Sequence, residues 1–232
     1  WDLPKVLGEA RFADLLVVHR DYFLRLGVPG EVVDEVAAVA RRSPLPRYLE
    51  RGQVEPLADG QVFSFAHFDA AVVHCPGHTP GLVCLHVPAH RLLLADDHLL
   101  ARVSPNPFLD FFQGSGEGKF RALVAYAASA RKVYALDLDC VIPGHGEAFH
   151  GHRQLLDGLF GFYALRQEKL LARLRLSPAT VYELLDVLFP RKDVSRLVLM
   201  LSEAVANLEV LEAEGRVRRE PGPEGELYVP AG

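Results

Sequence analysis

The chain has 232 residues, of which 50% are hydrophobic and 24% are charged, and its net charge is −5. This length and hydrophobic content allow one sizeable core together with a small second domain. The negative charge argues against binding to nucleic acid or to a membrane by bulk electrostatic attraction. No apolar run is long enough to span a bilayer and no signal-peptide pattern is present, so we expect a soluble protein. The three cysteines, Cys75, Cys84 and Cys140, lack metal-ligand spacing and suit the reducing cytoplasm without disulfides.

The first part of the chain, residues 1–150, predicts a layered α/β domain. Helical spacing occurs in "LPKVLGEA" and "EVVDEVAAVARR", and the apolar run "LLVVH" between them is a candidate strand. After the turn-rich "SPLPRYLERG", four short runs are typical of strands: "QVFSFA", "FDAAVVHC", "GLVCLHVP" and "RLLLADDH". "GKFRALVAYAASARKV" predicts a helix, and "DCVIPGHGE" predicts a strand that ends in a Gly-rich turn. Strands mixed with helices in this way indicate an α/β architecture.

The pattern changes after residue 150. Residues 151–174 predict a connecting helix with Leu155, Leu159 and Phe162 on one face. Residues 175–232 predict two further helices, the first capped by Ser177 or Thr180, and then two short strands around a Pro/Gly turn. The second of these helices has an apolar stripe formed by Leu201, Val205, Leu208 and Leu211. Gly215 is expected to end this helix. Helices followed by a two-stranded wing predict a winged-helix domain.

The sequence contains ten histidines, and a histidine taken singly more often packs, caps or faces water than binds a metal. Three stretches differ because they place His or Asp in turns after predicted strands: His78 in "PGHTPG", Asp97 in "LLLADDHLL" and His145 in "VIPGHGE". Loops at strand ends can converge on one point while the sheet holds them. Imidazole nitrogen and carboxylate oxygen suit a zinc-class ion, and a carboxylate can bridge two ions that activate water. The neighbouring Gly and Pro residues limit the freedom of the ligands.

These three motifs, in this order and at this spacing, resemble the second half of the metallo-β-lactamase superfamily of hydrolases. "DDHLLARVSPNP" and the C-terminal pattern are similar to the branch that carries a β-lactamase-associated winged-helix domain. The resemblance implies a partial αββα sandwich over residues 1–150 and two metal ions in the intact protein, with zinc expected and other divalent metals as the alternative. It implies that His78 is a terminal ligand of the first metal, Asp97 the bridging carboxylate and His145 a ligand of the second metal. His98, which follows the bridging Asp, is expected to shape the site without binding an ion.

The sequence departs from the family pattern in two places. The signature H-x-H-x-D-H, which supplies four further ligands in the family, is absent, and the chain begins with Trp1 instead of methionine. We therefore expect the C-terminal part of a longer protein, and we expect this part alone to bind zinc weakly and to be inactive. Asp96 also stands where the family usually has Gly, and it either tightens metal binding or marks drift from catalysis. The pair His150 and His152 is interpreted as a solvated helix start.

The predicted function is that of a metal-dependent hydrolase whose metal-bound hydroxide attacks a thioester, an ester or lactone, or a phosphodiester. The alternatives are an endoribonuclease of the same superfamily and a non-catalytic winged-helix protein that binds nucleic acid or serves as a scaffold. From residue 177 onward there are ten acidic residues against six basic ones, which disfavours DNA as a partner. We expect a small-molecule substrate or RNA, no membrane partner, and a homodimer as one compatible assembly. Ser104 and Asn106 either line the substrate cleft or form a turn.

Overall fold

Five strands form one sheet, which occupies the region where the sequence predicted strands. The computed structural model describes residues 7, 19–42, 48–110 and 120–231. The strands follow chain order across the sheet: β1 (Val62–Ser64), β2 (Asp69–His74), β3 (Val83–Val87), β4 (Leu92–Asp96) and β5 (Cys140–Pro143). Neighbours from β1 to β4 are antiparallel, whereas β5 is parallel to β4. As a consequence β2, β4 and β5 run in the same direction and end at the same edge.

The sheet buries one face against two helices. Leu93 of β4 and Val141 of β5 are register partners, and Cys84 of β3 lies two residues from the partner of Leu93 and so on the same face. All three are fully or almost fully buried. They share a hydrophobic cluster with α3 (Ala122–Tyr134) and with the first half of α4 (His152–Leu174). Apolar side chains alternate along the strands because successive residues point to opposite faces. On the other face Leu94 and Ile142 are exposed.

A second hydrophobic cluster lies around the C-terminal helices. It contains the second half of α4 together with two helices and a hairpin that follow it, namely α5 (Val181–Leu188), α6 (Leu197–Ala213), β6 (Val217–Gly222) and β7 (Gly225–Pro230). Two short helices from the start of the chain, α1 (Arg20–Arg25) and α2 (Gly30–Arg42), also contribute to it. The sequence order therefore does not follow the packing, since residues 20–42 share a core with residues 170–230.

Helix α4 connects the two clusters, and its buried face differs from the predicted one. The buried positions are His152, Leu156, Leu159, Tyr163, Gln167, Leu170, Leu171 and Leu174. Leu159 was predicted correctly, but Leu155 and Phe162 are only partly buried at the edge of the face. The prediction was wrong because several apolar residues lie next to the two glycines of "GLFGFY", and the sequence pattern did not show which of them face the core. Polar His152 and Gln167 occupy positions on the buried face that a hydrophobicity pattern does not identify.

The predicted helix ends in the C-terminal region agree with the structure. Thr180 caps α5, and its hydroxyl accepts a hydrogen bond from the Glu183 backbone nitrogen while the Glu183 carboxylate accepts from the Thr180 nitrogen. Gly215 follows α6 with φ of +68°, the left-handed conformation expected at this position. The predictions for nearly all of "LPKVLGEA" and of "LLVVH" lie outside the described residues. No helix within the described ranges is long and apolar enough to cross a membrane.

The packing of the first helices on the C-terminal unit can be tested at Gly27. A Cβ atom there would lie 2.5 Å from the Thr180 Cβ, and φ is +81°. Gly60 has φ of +80° but has open space around it, so it is a matched control for the backbone strain. We expect Gly60→Ala to lower the free energy of unfolding by about 1–2 kcal/mol. We expect Gly27→Ala to lower it by about 1–3 kcal/mol more, because the added methyl group overlaps Thr180.

The measurement is urea unfolding of both variants beside the parent chain. Equal losses for Gly27→Ala and Gly60→Ala would show that residues 20–42 do not pack on Thr180 as described.

Candidate metal centre

The three residues predicted as metal ligands meet at one edge of the sheet. His78 follows β2, Asp97 follows β4 and His145 follows β5, and these three strands are mutually parallel. Because their carboxyl ends lie at the same edge, the loops after them converge there. The convergence that the sequence predicted for these loops is thus present in the folded chain.

Asp97 lies between the two imidazoles and directs one oxygen toward each of them. Its Oδ2 is 3.7 Å from His78 Nε2, and its Oδ1 is 3.6 Å from His145 Nε2. Both distances are too long for a hydrogen bond. They are close to the roughly 3.3–3.5 Å that separates two ligands bonded to one tetrahedral zinc ion at about 2.0–2.1 Å. The arrangement fits two separate half-sites that share one carboxylate.

Neither half-site is a complete cage in the part of the chain that the structure describes. Within the described ranges no group of three or more His, Cys, Asp or Glu side chains surrounds a single metal position. His145 is largely exposed, with 79% of its side chain accessible, whereas the His78 and Asp97 side chains are each 21% accessible. Each ion held here would therefore receive one imidazole and one shared carboxylate oxygen from these residues.

The direction of Asp97 is set by an irregular turn at the end of β4. The pairing of β4 with β5 shifts by one residue between Leu94 and Asp96, and Asp96 has φ of +47°. Positive φ is unusual for a residue with a Cβ, although Asp tolerates it better than most. The Gly that the family usually has at this position would adopt the same conformation without strain. The turn leaves Asp97 Oδ1 buried without a hydrogen-bond partner among the described residues.

Gly144 in "PGHG" allows the second loop to approach this carboxylate. A Cβ atom at Gly144 would lie 2.9 Å from Asp97 Oδ1 and 2.8 Å from Asp96 Oδ1. Its backbone nitrogen donates to the Asp96 carbonyl oxygen at 2.9 Å. A side chain at this position would push the carboxylates away from His145. Glycine is therefore needed here because the backbone packs closely against the candidate ligands, and not because φ is positive.

The loop that carries His78 is held on both sides. Ser129 of α3 donates to the Pro76 carbonyl oxygen at 2.7 Å, and a Cβ atom at Gly77 would overlap the Tyr126 side chain at 2.7 Å. The His74 ring nitrogen Nε2 contacts the Pro80 carbonyl oxygen at 2.8 Å, which closes the loop on itself. The Gly and Pro residues of "HCPGHTPG" thus place the imidazole on a short loop with little freedom.

His98 is fully buried beside the centre, and its imidazole makes no hydrogen bond to Asp97 among the described residues. Its ring lies 5.0 Å from the Tyr126 ring, and neither ring nitrogen has a hydrogen-bond partner among the described residues. Burial lowers the pKa of His98 to about 4. The ring is therefore neutral in the folded chain at pH 7, and the expectation that it shapes the site stays a prediction.

The sequence did not identify the partners of His78. The His78 Nδ1 lies 2.8 Å from the Asn106 carbonyl oxygen, and the Phe108 ring packs edge-on against the imidazole at 5.5 Å. The sequence left two roles open for Asn106, in a turn or in the substrate cleft, and it did not identify Phe108. A backbone carbonyl has no residue-type signal, so only the surrounding prolines of "SPNP" pointed to this segment.

The interpretation of His150 and His152 as a solvated helix start was correct for only one of them. His150 is exposed, and its Nδ1 contacts the Asp139 carbonyl oxygen. His152 is only 3% exposed, and burial lowers its pKa. It begins α4 on the face directed at the sheet, where its Nε2 has no hydrogen-bond partner among the described residues.

Comparison with known families agrees with this geometry. The model of the metallo-β-lactamase superfamily matches residues 5–145, and the model of the metallo-β-lactamase-like C-terminal domain matches residues 167–228. The chain belongs to the metallo-β-lactamase superfamily. The superfamily assignment and the α/β fold are confirmed, and the winged-helix description of residues 175–232 stays a prediction.

Individual relatives are similar to this chain over different lengths. The probable metallo-hydrolase YqjP of Bacillus subtilis is 33% identical over 144 residues, a match that covers 62% of this chain and 45% of YqjP. The structure of the metallo-β-lactamase family protein TTHA1429 from Thermus thermophilus has a TM-score of 0.73 and 29% identity, covering 98% of this chain and 69% of that one. A β-lactamase domain protein from Burkholderia ambifaria has a TM-score of 0.76 and 25% identity, covering 97% and 65%. The match thus spans less than half of YqjP and about two thirds of each structure.

Burial of His98 predicts that the chain loses stability in acid. In the unfolded chain this imidazole has a pKa near 6.5, whereas in the folded chain the value is about 4. Below pH 6.5 the unfolded state binds a proton that the folded state does not, so stability falls as the pH decreases toward 4. We expect His98 to account for a loss on the order of 3 kcal/mol over this range.

Urea unfolding between pH 7 and pH 4 measures this loss. His98→Phe should flatten the pH dependence, whereas His67→Phe, at an exposed histidine, should leave it unchanged. If both variants follow the parent chain, buried His98 does not cause the acid sensitivity.

Proposed function

We propose that this chain supplies His78, Asp97 and His145 to a dinuclear divalent-metal centre in a hydrolase. The observation that carries the proposal is the position of the Asp97 carboxylate, whose two oxygens face two different imidazole Nε2 atoms at 3.7 and 3.6 Å. A carboxylate in this position would supply one oxygen to each of two ions, and one imidazole would complete each pair. Membership of the metallo-β-lactamase superfamily and the name of the Bacillus relative support the same assignment.

The chemistry of the donor set favours zinc. Imidazole nitrogen and carboxylate oxygen are the donors that zinc accepts in catalytic sites. Bound divalent ions of this kind lower the pKa of water and polarise the oxygen of a carbonyl or phosphoryl group. The proposed substrates are accordingly a thioester, an ester or lactone, or a phosphodiester.

The residues of this chain have distinct tasks in that reaction. Asp97 provides the negative charge that two neighbouring cations require, and its buried Oδ1 is free of competing hydrogen bonds from the described residues. His78 presents its Nε2 from a short, fixed loop, whereas His145 presents its Nε2 from an exposed turn. Substrate is expected to enter from the His145 side, where the imidazole is largely accessible within the described part of the chain.

The chain by itself is proposed to bind zinc weakly, because each ion receives only two ligands from these three residues. Structural zinc sites with four ligands bind with about 10–16 kcal/mol. We expect a dissociation constant weaker than about 1 μM for this chain, measured by isothermal titration with Zn²⁺. Tight binding of two ions would contradict this prediction.

Substitution of the shared carboxylate tests the site itself. Asp97→Asn should abolish the remaining zinc binding, because it removes the anionic ligand from both pairs at once. Asp137→Asn is the matched control, since Asp137 is an exposed carboxylate paired with Arg91 on another part of the surface. Equal binding by the two variants would show that zinc is bound elsewhere.

The alternative of a nucleic-acid-binding C-terminal unit is disfavoured by the charges of its hairpin. The three arginines of "RVRR" are all paired with carboxylates, in the pairs Arg216–Glu168, Arg216–Glu214, Arg218–Glu220, Arg219–Glu212 and Arg219–Glu226. Phosphate binding needs cations whose charge is not already neutralised by such partners. The same argument makes a small-molecule substrate preferable to RNA in this proposal.

Filter binding at low salt checks this point. We expect no retention of single-stranded or duplex oligonucleotides by the parent chain. A double variant with Glu212→Gln and Glu226→Gln frees Arg219 and should increase retention if the paired acids are what prevents binding. Strong retention by the parent chain would favour the endoribonuclease or nucleic-acid-binding alternatives.

A further inference from the structure

The second ring nitrogen of His78 is bonded to the backbone of a distant segment. Its Nδ1 lies 2.8 Å from the Asn106 carbonyl oxygen, and a carbonyl oxygen can only accept a hydrogen bond. In the neutral ring Nδ1 must therefore carry the proton, which leaves the lone pair on Nε2. That nitrogen is the one directed toward Asp97 at 3.7 Å. The contact with Asn106 thus selects the tautomer that a metal ligand needs.

The segment that provides this carbonyl, residues 104–110, has no helix or strand of its own. It is held by hydrogen bonds to helices that lie 58 to 93 positions further along the chain. The Tyr163 hydroxyl on α4 donates to the Pro105 carbonyl oxygen at 3.0 Å. The Asn106 side-chain nitrogen donates to the Leu199 carbonyl oxygen on α6 at 3.1 Å. The position of the carbonyl therefore depends on the C-terminal helices.

Ser202 on α6 provides a third connection. It is fully buried, and its Oγ accepts a hydrogen bond from the Leu109 backbone nitrogen at 3.2 Å. The same hydroxyl donates its proton to the Val198 carbonyl oxygen at 2.7 Å. Since the proton is already used within the helix, the lone pair is oriented toward Leu109. Removal of the hydroxyl would leave a buried backbone N–H without this acceptor.

We propose that Asn106 and Ser202 are positioning residues through which helix α6 fixes the tautomer and the orientation of His78. The C-terminal unit then contributes to the candidate metal centre without providing a ligand. The value of this device to catalysis rests on the proposed function, because a fixed tautomer matters only if His78 is a ligand. The contacts themselves do not involve a metal.

The tautomer of His78 in the metal-free chain is the direct readout. Long-range ¹H–¹⁵N spectra of ¹⁵N-histidine-labelled protein at alkaline pH distinguish a ring protonated at Nδ1 from one protonated at Nε2, and loss of a signal in His78→Gln identifies the ring. We expect the parent chain to show the Nδ1–H pattern. Asn106→Ala and Ser202→Ala should lose it in favour of the Nε2–H form, which a free imidazole side chain prefers.

Asn207→Ala is the matched control for a general loss of packing. Asn207 is a buried polar residue on the same helix, where it accepts from Gln167 and donates to the Glu203 carbonyl oxygen, away from residues 104–110. It should lower stability but keep the Nδ1–H pattern, and Ser202→Thr should retain the pattern because it keeps the hydroxyl. Asn106 is only partly buried, so Asn106→Ala remains informative if Ser202→Ala does not fold.

Two results would overturn the proposal: an unchanged His78 pattern in a folded Asn106→Ala chain, or the same change in Asn207→Ala. A Co²⁺ titration separates this outcome from failure of the proposed function. If His78 is a ligand, both positioning variants should bind Co²⁺ at least about tenfold more weakly than the control. Loss of the tautomer without any Co²⁺ binding in the parent chain would support the positioning role and contradict the metal centre.

Discussion

The architecture of this edge of the molecule depends on one constraint, the placement of the Asp97 carboxylate between two imidazoles. Three features of the surrounding backbone serve that placement: the register shift at the end of β4, the positive φ of Asp96 and the absence of a side chain at Gly144. Each is unfavourable or restrictive when considered by itself. Together they leave Asp97 Oδ1 buried and without a hydrogen-bond partner among the described residues. Such an arrangement is stable in a native protein when another cation or donor meets that oxygen.

The sequence predicted the parts of the site that depend on strand order and on special backbone conformations. "PGHTPG", "LLLADDHLL" and "VIPGHGE" could be placed at strand ends because Gly and Pro mark the turns and because apolar runs mark the strands. Parallel β2, β4 and β5 then bring the three loops to one edge. Local patterns are sufficient for this step because each motif is short and lies next to the strand that positions it.

The contacts between distant segments were not predictable in the same way. The bond from His78 to the Asn106 carbonyl oxygen involves a backbone group, which every residue type has. The burial of His152 depends on the direction in which α4 approaches the sheet, and a polar residue at a helix start gives no sign of it. The packing of residues 20–42 with the C-terminal helices was missed for a related reason. Their apolar periodicity shows that they have a buried face, but it does not show which core receives that face.

Helix α4 explains how a C-terminal unit can influence a site on the sheet. Its first half packs in the cluster beneath the sheet and its second half in the C-terminal cluster, so the two cores share one rigid element. Arg166 lies near its middle, where it pairs with the mostly buried Glu203 of α6 at 2.6 Å and is stacked between the rings of Phe162 and Phe189. Breaking a buried pair of this kind leaves an uncompensated charge, which is strongly destabilising. The pair thus fixes the position of α6 along α4.

The Arg166–Glu203 pair therefore also fixes the position of the first turns of α6. Glu203, which forms the ion pair, lies on the same helix as Leu199 and Ser202, which bond to residues 104–110. The ion pair and these hydrogen bonds therefore depend on the position of one helix. Since the Asn106 side chain is bonded to Leu199, the proposed role implies that a displacement of α6 changes the position of the Asn106 carbonyl oxygen relative to His78 Nδ1. Packing interfaces resist such displacements because close-packed side chains transmit strain without absorbing it. In the roles proposed above, the C-terminal helices support the candidate metal centre through the bonds of Leu199 and Ser202 to residues 104–110. The hairpin arginines, which a nucleic-acid surface would need, are paired with carboxylates.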